Sequence, residues 1–350
     1  MTIRVLFVAL LFVLAPSAPA GADAPTPLRP EGVPARPVAT YSIVARDGET
    51  GQIGVAVQSH WFDVGSVVPW AKAGVGAVAT QSLVRVDYGP EGLRLMEEGL
   101  APGAAMQTLV SADEGRDYRQ VAMLNTSGLF AQHTGALCIG VAEEARGQSV
   151  DGDAWACQSN MMNDKGVPTA MARAFARAEG TLAERMLIAL EAAEFAGGDI
   201  RGMQSAAILI VEGEPVEHDW EGVVLDLSVE DHPRPLQELR RLHLVHSAYE
   251  HMNAGDVAME TGDVETALRE YGAAMDLMPD NAEMVFWTAV SLASAGRADE
   301  AEPLFARVYA NPGEGRWREL LRRLPASDLF PDDPALLERM LSAGADDASR

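Results

Sequence analysis

Cysteine is scarce: Cys138 and Cys157 are the only two in 350 residues. Neither belongs to a Cys-x-x-Cys pair, and the seven histidines, at 60, 133, 218, 232, 243, 246 and 251, form no His-Glu-x-x-His run. Such patterns are what zinc sites need, so no metal is expected. His243 and His246 share one face of a predicted helix, without a carboxylate at fitted spacing, and read as a surface pair. No Gly-x-Gly-x-x-Gly follows a strand and no phosphate loop is visible, so no cofactor is expected either. Basic charge is short as well. Lys and Arg number 27 against 51 Asp and Glu, a net charge of −24, which repels phosphate backbones and anionic lipid and argues against a nucleic-acid partner.

Long apolar runs are missing except near the start, where Arg4 precedes Val5-Leu-Phe-Val-Ala-Leu-Leu-Phe-Val-Leu14. Ten apolar residues are too few for a permanent span. The small-residue stretch Ala15 to Ala24 that follows suits a signal peptidase, with Ala18-Pro-Ala20 or Ala22-Asp-Ala24 as the cut site. Residues 1–24 are therefore expected to be a signal peptide, the mature chain periplasmic or secreted, and no membrane contact to remain after cleavage. Residues 25–39 carry prolines at 25, 27, 30, 34 and 37, a density that excludes helix and strand and makes an extended leader. An exported chain meets an oxidising compartment. A Cys138–Cys157 bridge would close a loop of about 20 residues and stabilise the fold by roughly 3 kcal/mol in the chain-entropy picture. The sequence leaves open whether they pair or stand free as small core residues.

From Thr40 the chain has the marks of a folded domain. Thr40-Tyr-Ser-Ile-Val-Ala-Arg-Asp47 and Gln52-Ile-Gly-Val-Ala-Val-Gln-Ser59 flank a Gly-bearing turn and predict a buried hairpin. A second hairpin is expected over Tyr118–Leu124 and Leu129–Thr134, and further strands over 71–80, 206–211 and 223–228. Apolar spacing predicts helices over 89–98, 102–112, 167–179 and 182–195. Pairs of helices alternating with pairs of strands give an α+β chain built as an αββα sandwich, two sheets face to face with helices outside, over residues 40–233. Beyond 233 the pattern is wholly helical with a 34-residue period: Gly262 and Gly296, Ala267 and Ala301, Tyr271 and Phe305, Ala274 and Val308. That is the tetratricopeptide period. Residues 234–350 are expected to form a C-terminal all-α tetratricopeptide-like module, its repeats over about 247–312, capped by helices 235–246, 317–324 and 334–341.

Several stretches in order carry a family resemblance: Thr40–Asp47, Val68-Pro-Trp-Ala-Lys72 through Gln81, Tyr88-Gly-Pro-Glu-Gly-Leu93, His133-Thr-Gly-Ala-Leu-Cys138, Cys157-Gln-Ser-Asn-Met161, Gly197–Ala207 and Asp231-His-Pro-Arg-Pro235. Over about residues 40–246 the chain resembles the bacterial domain of unknown function 1028 family, placed in the N-terminal-nucleophile (Ntn) hydrolase superfamily. The resemblance implies an αββα sandwich and a hydrolase ancestry, with an amide substrate of unsettled identity. It also points to Thr40 as nucleophile. A threonine becomes one when cleavage makes it N-terminal, because its own α-amine, with a pKa near 8, then serves as base. In simple family members the matching threonine follows the initiator Met or a signal cleavage site. Here 39 residues precede it, so activity requires a cut at Ala39–Thr40.

Each candidate has a plainer reading beside it. Thr40 is also an ordinary strand residue. Lys72, if near Thr40, would favour less protonated forms of the hydroxyl and amine; otherwise it is a solvated edge lysine. His133, at a strand end, is a base or a rim histidine bonded to backbone. Asn160 and Gln158 are oxyanion donors or turn formers, and Gln204 and Ser205 are similar candidates. The expected function is amide hydrolysis by a processed N-terminal Thr, with the repeats recruiting a protein or peptide partner. The alternative is a catalytically silent scaffold whose repeats do the binding.

Overall fold

The computed structural model describes residues 40–310 and 314–344. The expected signal peptide and Pro-rich leader lie outside the described residues. Strand β1 (Thr40–Arg46) and β2 (Ile53–Ser59) form the expected hairpin, in register from Thr40↔Ser59 to Arg46↔Ile53. The Asp47 carboxylate accepts from the amides of Glu49 and Thr50 at 2.8 Å, and Gly51 takes the left-handed conformation that closes the turn.

Two antiparallel sheets follow. The larger has the order β10-β9-β2-β1-β8-β7 and the smaller β3-β4-β5-β6. Their strands are β3 (Pro69–Lys72), β4 (Gly76–Ser82), β5 (Arg119–Asn125), β6 (Phe130–Thr134), β7 (Glu143–Gln148), β8 (Ala154–Asn160), β9 (Ser205–Val211) and β10 (Val223–Val229). Helices α1 (Tyr88–Glu97) and α2 (Pro102–Ala112) cover the smaller sheet; α3 (Val167–Phe175) and α4 (Leu182–Phe195) cover the larger. This is the αββα sandwich that the sequence predicts. Thr181 and Glu184 close a capping box at the start of α4. Helix α3 stops at Phe175, four residues before the sequence reading ends it. Two strands escape that reading: β7, Glu-Glu-Ala-Arg-Gly-Gln, because it is a charged edge strand with no buried face, and β8, Ala-Trp-Ala-Cys-Gln-Ser-Asn, because it is buried on both faces and shows no apolar–polar alternation.

The two cysteines are free. Cys157 of β8 points into the core between the larger sheet and its helices, whereas Cys138 sits over the smaller sheet with its Sγ 3.2 Å from the Arg119 carbonyl oxygen. The two side chains are committed to different layers, so the bridge left open by the sequence does not form. Burial pushes both thiols up.

Helix α5 (Pro235–Glu260) joins both parts of the chain. Leu236 and Leu239 complete the core above the larger sheet, and Ala248, Met252 and Ala258 start the core of the repeats. The repeats proper are the second half of α5 with α6 (Val264–Leu277), then α7 (Ala282–Ser294) with α8 (Ala298–Tyr309). Every residue pair of the 34-residue period has the same environment twice. Gly262 and Gly296 turn with φ 79° and 77°, and Ala267, Ala301, Tyr271, Phe305, Ala274 and Val308 are all fully buried. The Tyr271 ring lies on Gly255, where any side chain would collide with it. Helices α9 (Glu314–Arg323) and α10 (Pro334–Leu341) pack on the second repeat through Leu321 and Met340. Among the described residues no helix is long and apolar enough to cross a membrane.

Candidate functional site

The layer between the two sheets is divided. One end is apolar, with Val44, Ile53, Val55 and Val57 packed against Ala77, Ala79, Ala122 and Leu124. At the other end the same faces of the same strands turn polar. Thr40 heads β1 there, and Ser205, Ser59, Thr40 and Asn160 are successive cross-strand partners on β9, β2, β1 and β8. Because directly paired residues share a face, these four side chains form one row. Facing them across the sandwich, Gln81 of β4 pairs with Gln120 of β5, and Gln120 with Thr134 of β6.

Hydrogen bonds tie the two rows. The Thr40 hydroxyl donates to Ser59 Oγ at 3.1 Å, and Gln81 Nε2 donates to the Thr40 carbonyl at 3.2 Å. Gln120 Oε1 accepts from both Gln81 Nε2 (2.8 Å) and Asn160 Nδ2 (3.0 Å), while Gln120 Nε2 donates to the Ser159 carbonyl (2.9 Å) and Thr134 Oγ1 (3.0 Å). One step deeper, Ser42 Oγ donates to Gln81 Oε1 at 2.7 Å, and Gln158 Nε2 to the Ala79 carbonyl at 3.1 Å. Thr40, Ser59, Gln81, Gln120 and Asn160 are all fully buried. Both rows consist of hydroxyls and carboxamides, with no ionisable side chain. Among the described residues, Asn160 Oδ1 and Gln158 Oε1 have no partner. Leaving such an acceptor bare costs about 1–3 kcal/mol.

The surrounding frame holds the rows in place. Ser82, ending β4, and Met161, just after Asn160, are both left-handed, with φ 72° and 56°. For side-chain-bearing residues that conformation costs of order 1–3 kcal/mol and persists where neighbours enforce it. Arg119, next to Gln120, is 2% exposed; its Nε is 2.8 Å from Asp113 Oδ2 and its Nη1 2.6 Å from the Leu83 carbonyl oxygen. Burial pulls the Asp113 carboxyl up, but the hydrogen bond and charge of Arg119 with the Gly115 amide outweigh it and hold the group below its usual value.

Of the residues singled out in the sequence, the structure brings Thr40 and Asn160 together, with Gln158 and Ser205 close by. Ser205 Oγ donates to the Trp61 carbonyl at 2.5 Å. Lys72 is elsewhere. It pairs with Gly76, five residues along β4 from Gln81, a separation of roughly 17 Å at strand rise. It is also an exposed ion pair, 2.8 Å from Glu97, and that hydrogen bond raises the pKa of its amine. The expectation that Lys72 reaches the surroundings of Thr40 is thus corrected: β3 runs away from the polar end. His133 lies between Gln132 and Thr134 on β6, so alternation turns it to the other face, where its Nε2 is 2.9 Å from the Arg116 carbonyl oxygen. Gln204 bonds Asp231 at 3.2 Å, at the rim. Among the described residues there is no cluster of His, Cys, Asp and Glu that could hold a metal. The sequence reading missed Gln81, Gln120, Ser59 and Thr134, although several of these strands turn polar toward one end: Thr40-Tyr-Ser42, Gln58-Ser59, Thr80-Gln-Ser82, Arg119-Gln120 and Gln158-Ser-Asn160.

The model of a family of unknown function, DUF1028, matches residues 40–239. The chain belongs to this family. A tetratricopeptide-repeat model matches residues 252–315, beyond the DUF1028 region. Among solved structures, a DUF1028 protein from Silicibacter pomeroyi is similar, with 31% identity and a TM-score of 0.51 over 59% of this chain and 88% of that one. No curated protein matches. The polar rows, from Thr40 to Ser205, lie wholly inside the DUF1028 region, so the candidate site belongs to the family domain and not to the repeats.

Proposed function

We propose that this DUF1028 protein is exported and hydrolyses an amide bond, with Thr40 as an N-terminal nucleophile freed by cleavage of the Ala39–Thr40 bond. The observation that carries the reading is the position of Thr40: it heads a central strand at the one end of the sandwich where the interior is polar, with Ser59 and Asn160 beside it. Cleavage would turn its amide nitrogen into an amine. Burial among neutral hydroxyls and carboxamides favours the uncharged amine, the form a base needs. The Thr40 hydroxyl would add to the substrate carbonyl carbon while the amine takes its proton. The amine returns that proton to the departing nitrogen, leaving an ester on Thr40 that water cleaves. The Asn160 carboxamide, one N–H of which goes to Gln120 Oε1, would supply the other to the developing oxyanion, where a single donor is worth about 3 kcal/mol, whereas both N–H groups of Gln81 are taken by the Thr40 carbonyl and Gln120 Oε1. Gln120 holds both in place.

A second reading is favoured by one observation. Thr40 is fully buried, and it lines neither the cavity over Gly65 and Ser228 nor the one over Lys72 and Glu97 in the sandwich. On that reading the sandwich is a silent scaffold and the repeats are the working surface. Intact-mass measurement of the exported chain separates the two. A mature chain that begins at Thr40 and turns over amide substrates supports the hydrolase; one that begins near residues 21–25 and forms no acyl-enzyme supports the scaffold.

A further inference from the structure

A large cavity lies outside the sandwich. It is a groove of about 860 Å³ between the second half of α5, Tyr271 of α6, α7 and the loop 328–332. Its apolar surface includes Met252, Met259, Trp287, Val290 and Leu329, the last 55% exposed. Five carboxylates line it as well: Asp256, Glu260, Glu283, Asp328 and Asp332. None of the lining residues is Lys or Arg. Two of the five are oriented by neighbours, Asp256 by the Tyr271 hydroxyl at 2.7 Å and Glu283 by the Tyr249 hydroxyl at 3.0 Å. Among the described residues none of the five makes a salt bridge, although eighteen salt bridges are formed elsewhere. Like charges gathered round a groove repel one another, and a cationic occupant relieves that repulsion.

We propose that this groove binds a basic segment of a partner protein, in which Lys or Arg side chains alternate with apolar ones. The apolar side chains seat against Met259, Trp287 and Leu329. The cations meet the five carboxylates, and the Trp287 face adds a cation–π surface. The asymmetry of charge commits the groove to this partner: an acidic segment would meet like charge on every wall. The proposal is independent of any chemistry at Thr40.

The test uses the full chain and a labelled ten-residue peptide alternating Lys and Leu, followed by fluorescence anisotropy in 0.1 M salt, with a Glu–Leu peptide as counterpart. The Lys peptide should bind at least tenfold more tightly than the Glu peptide. The double variant Glu260→Lys with Asp332→Lys should weaken it at least tenfold. Glu214→Lys with Glu217→Lys, two exposed acids on the sandwich, should leave it within twofold. Equal binding of the two peptides, an unchanged affinity in the groove variant, or an equal loss in the sandwich variant would each overturn the proposal, the last because the attraction would then come from the net charge alone. If circular dichroism shows the charge-reversed variant unfolded, Glu260→Gln with Asp332→Asn takes its place, with a threefold or greater loss expected and an unchanged affinity counting against the groove.

Discussion

The polar end of the sandwich and the groove of the repeats both gather hydrophilic side chains, and they do so under opposite constraints. Around Thr40 the groups are buried, and they are neutral: hydroxyls and carboxamides bonded to one another across two sheets, with the Asn160 and Gln158 oxygens left over, because a buried unpaired charge would cost several kcal/mol. In the groove the five carboxylates are exposed to solvent, so they line one cavity without Lys or Arg among them. The buried end is fixed by strand register and is suited to pre-organised chemistry. The open groove is set by helix stacking and suits a partner that arrives and leaves. Charge has been pushed out of one region and accumulated in the other, and variants of each can test whether that difference matters.

The largest effect is expected at Thr40. In a processed chain Thr40→Ala should lower amide turnover by about a thousandfold or more, and Thr40→Ser should retain part of it, read by steady-state rates. Since Thr40 is fully buried with its hydroxyl on Ser59, the alanine variant should also lose about 1–2 kcal/mol of stability in urea unfolding. Full activity in Thr40→Ala would leave the buried end as structure alone.

Next comes the charge pair that frames that end. Asp113→Asn leaves Arg119 buried without its counter-ion and should cost about 3–5 kcal/mol in the same measurement. The sign of its pH dependence follows from the lowered Asp113 pKa. The stabilisation is present above the unfolded carboxyl value, about 3.9, and is lost as pH falls through the folded one. The wild type should therefore lose stability below about pH 4 more steeply than the variant; parallel curves would contradict this. Gln120→Leu strips the partner from Gln81, Asn160 and Thr134 and should cost about 1–3 kcal/mol, with a larger fall in kcat than in stability if these amides hold the site. The smallest effect is expected at Lys72→Met. An exposed ion pair contributes at most about 1 kcal/mol, and turnover should not change. A large loss of activity would place Lys72 in the chemistry after all.

Much of this was legible in the chain before folding. Alternation and turn residues marked the hairpins, the helix pairs marked the layers, and the 34-residue recurrence of Gly, Ala and aromatic residues marked the repeats, since these signals are local. Thr40 and Asn160 were legible as candidates one at a time. Their company was not: Gln81, Gln120 and Thr134 come from three strands of the other sheet, and no spacing along the chain links them to residue 40. Lys72 misled because closeness to a Gly-rich strand says nothing about which end of that strand it joins. Cys138 and Cys157 stayed open for a related reason, since a short loop permits a bridge while the sandwich assigns the two thiols to different layers.

By itself the sequence determined most of the secondary structure, though not strands β7 and β8, the division into a layered domain and a repeat module, and the excess of acid over base, because periodicity, propensity and composition act over a few residues or over none. Tertiary structure alone decided that the polar strand ends meet at one edge. In antiparallel pairs the start of β1 lies beside the ends of β2 and β8, and the second sheet presents Gln81 and Gln120 to them. It also decided that the carboxylates of α5, α7 and the loop 328–332 enclose one groove. Both are consequences of register and stacking, which set distances between residues tens to hundreds of positions apart.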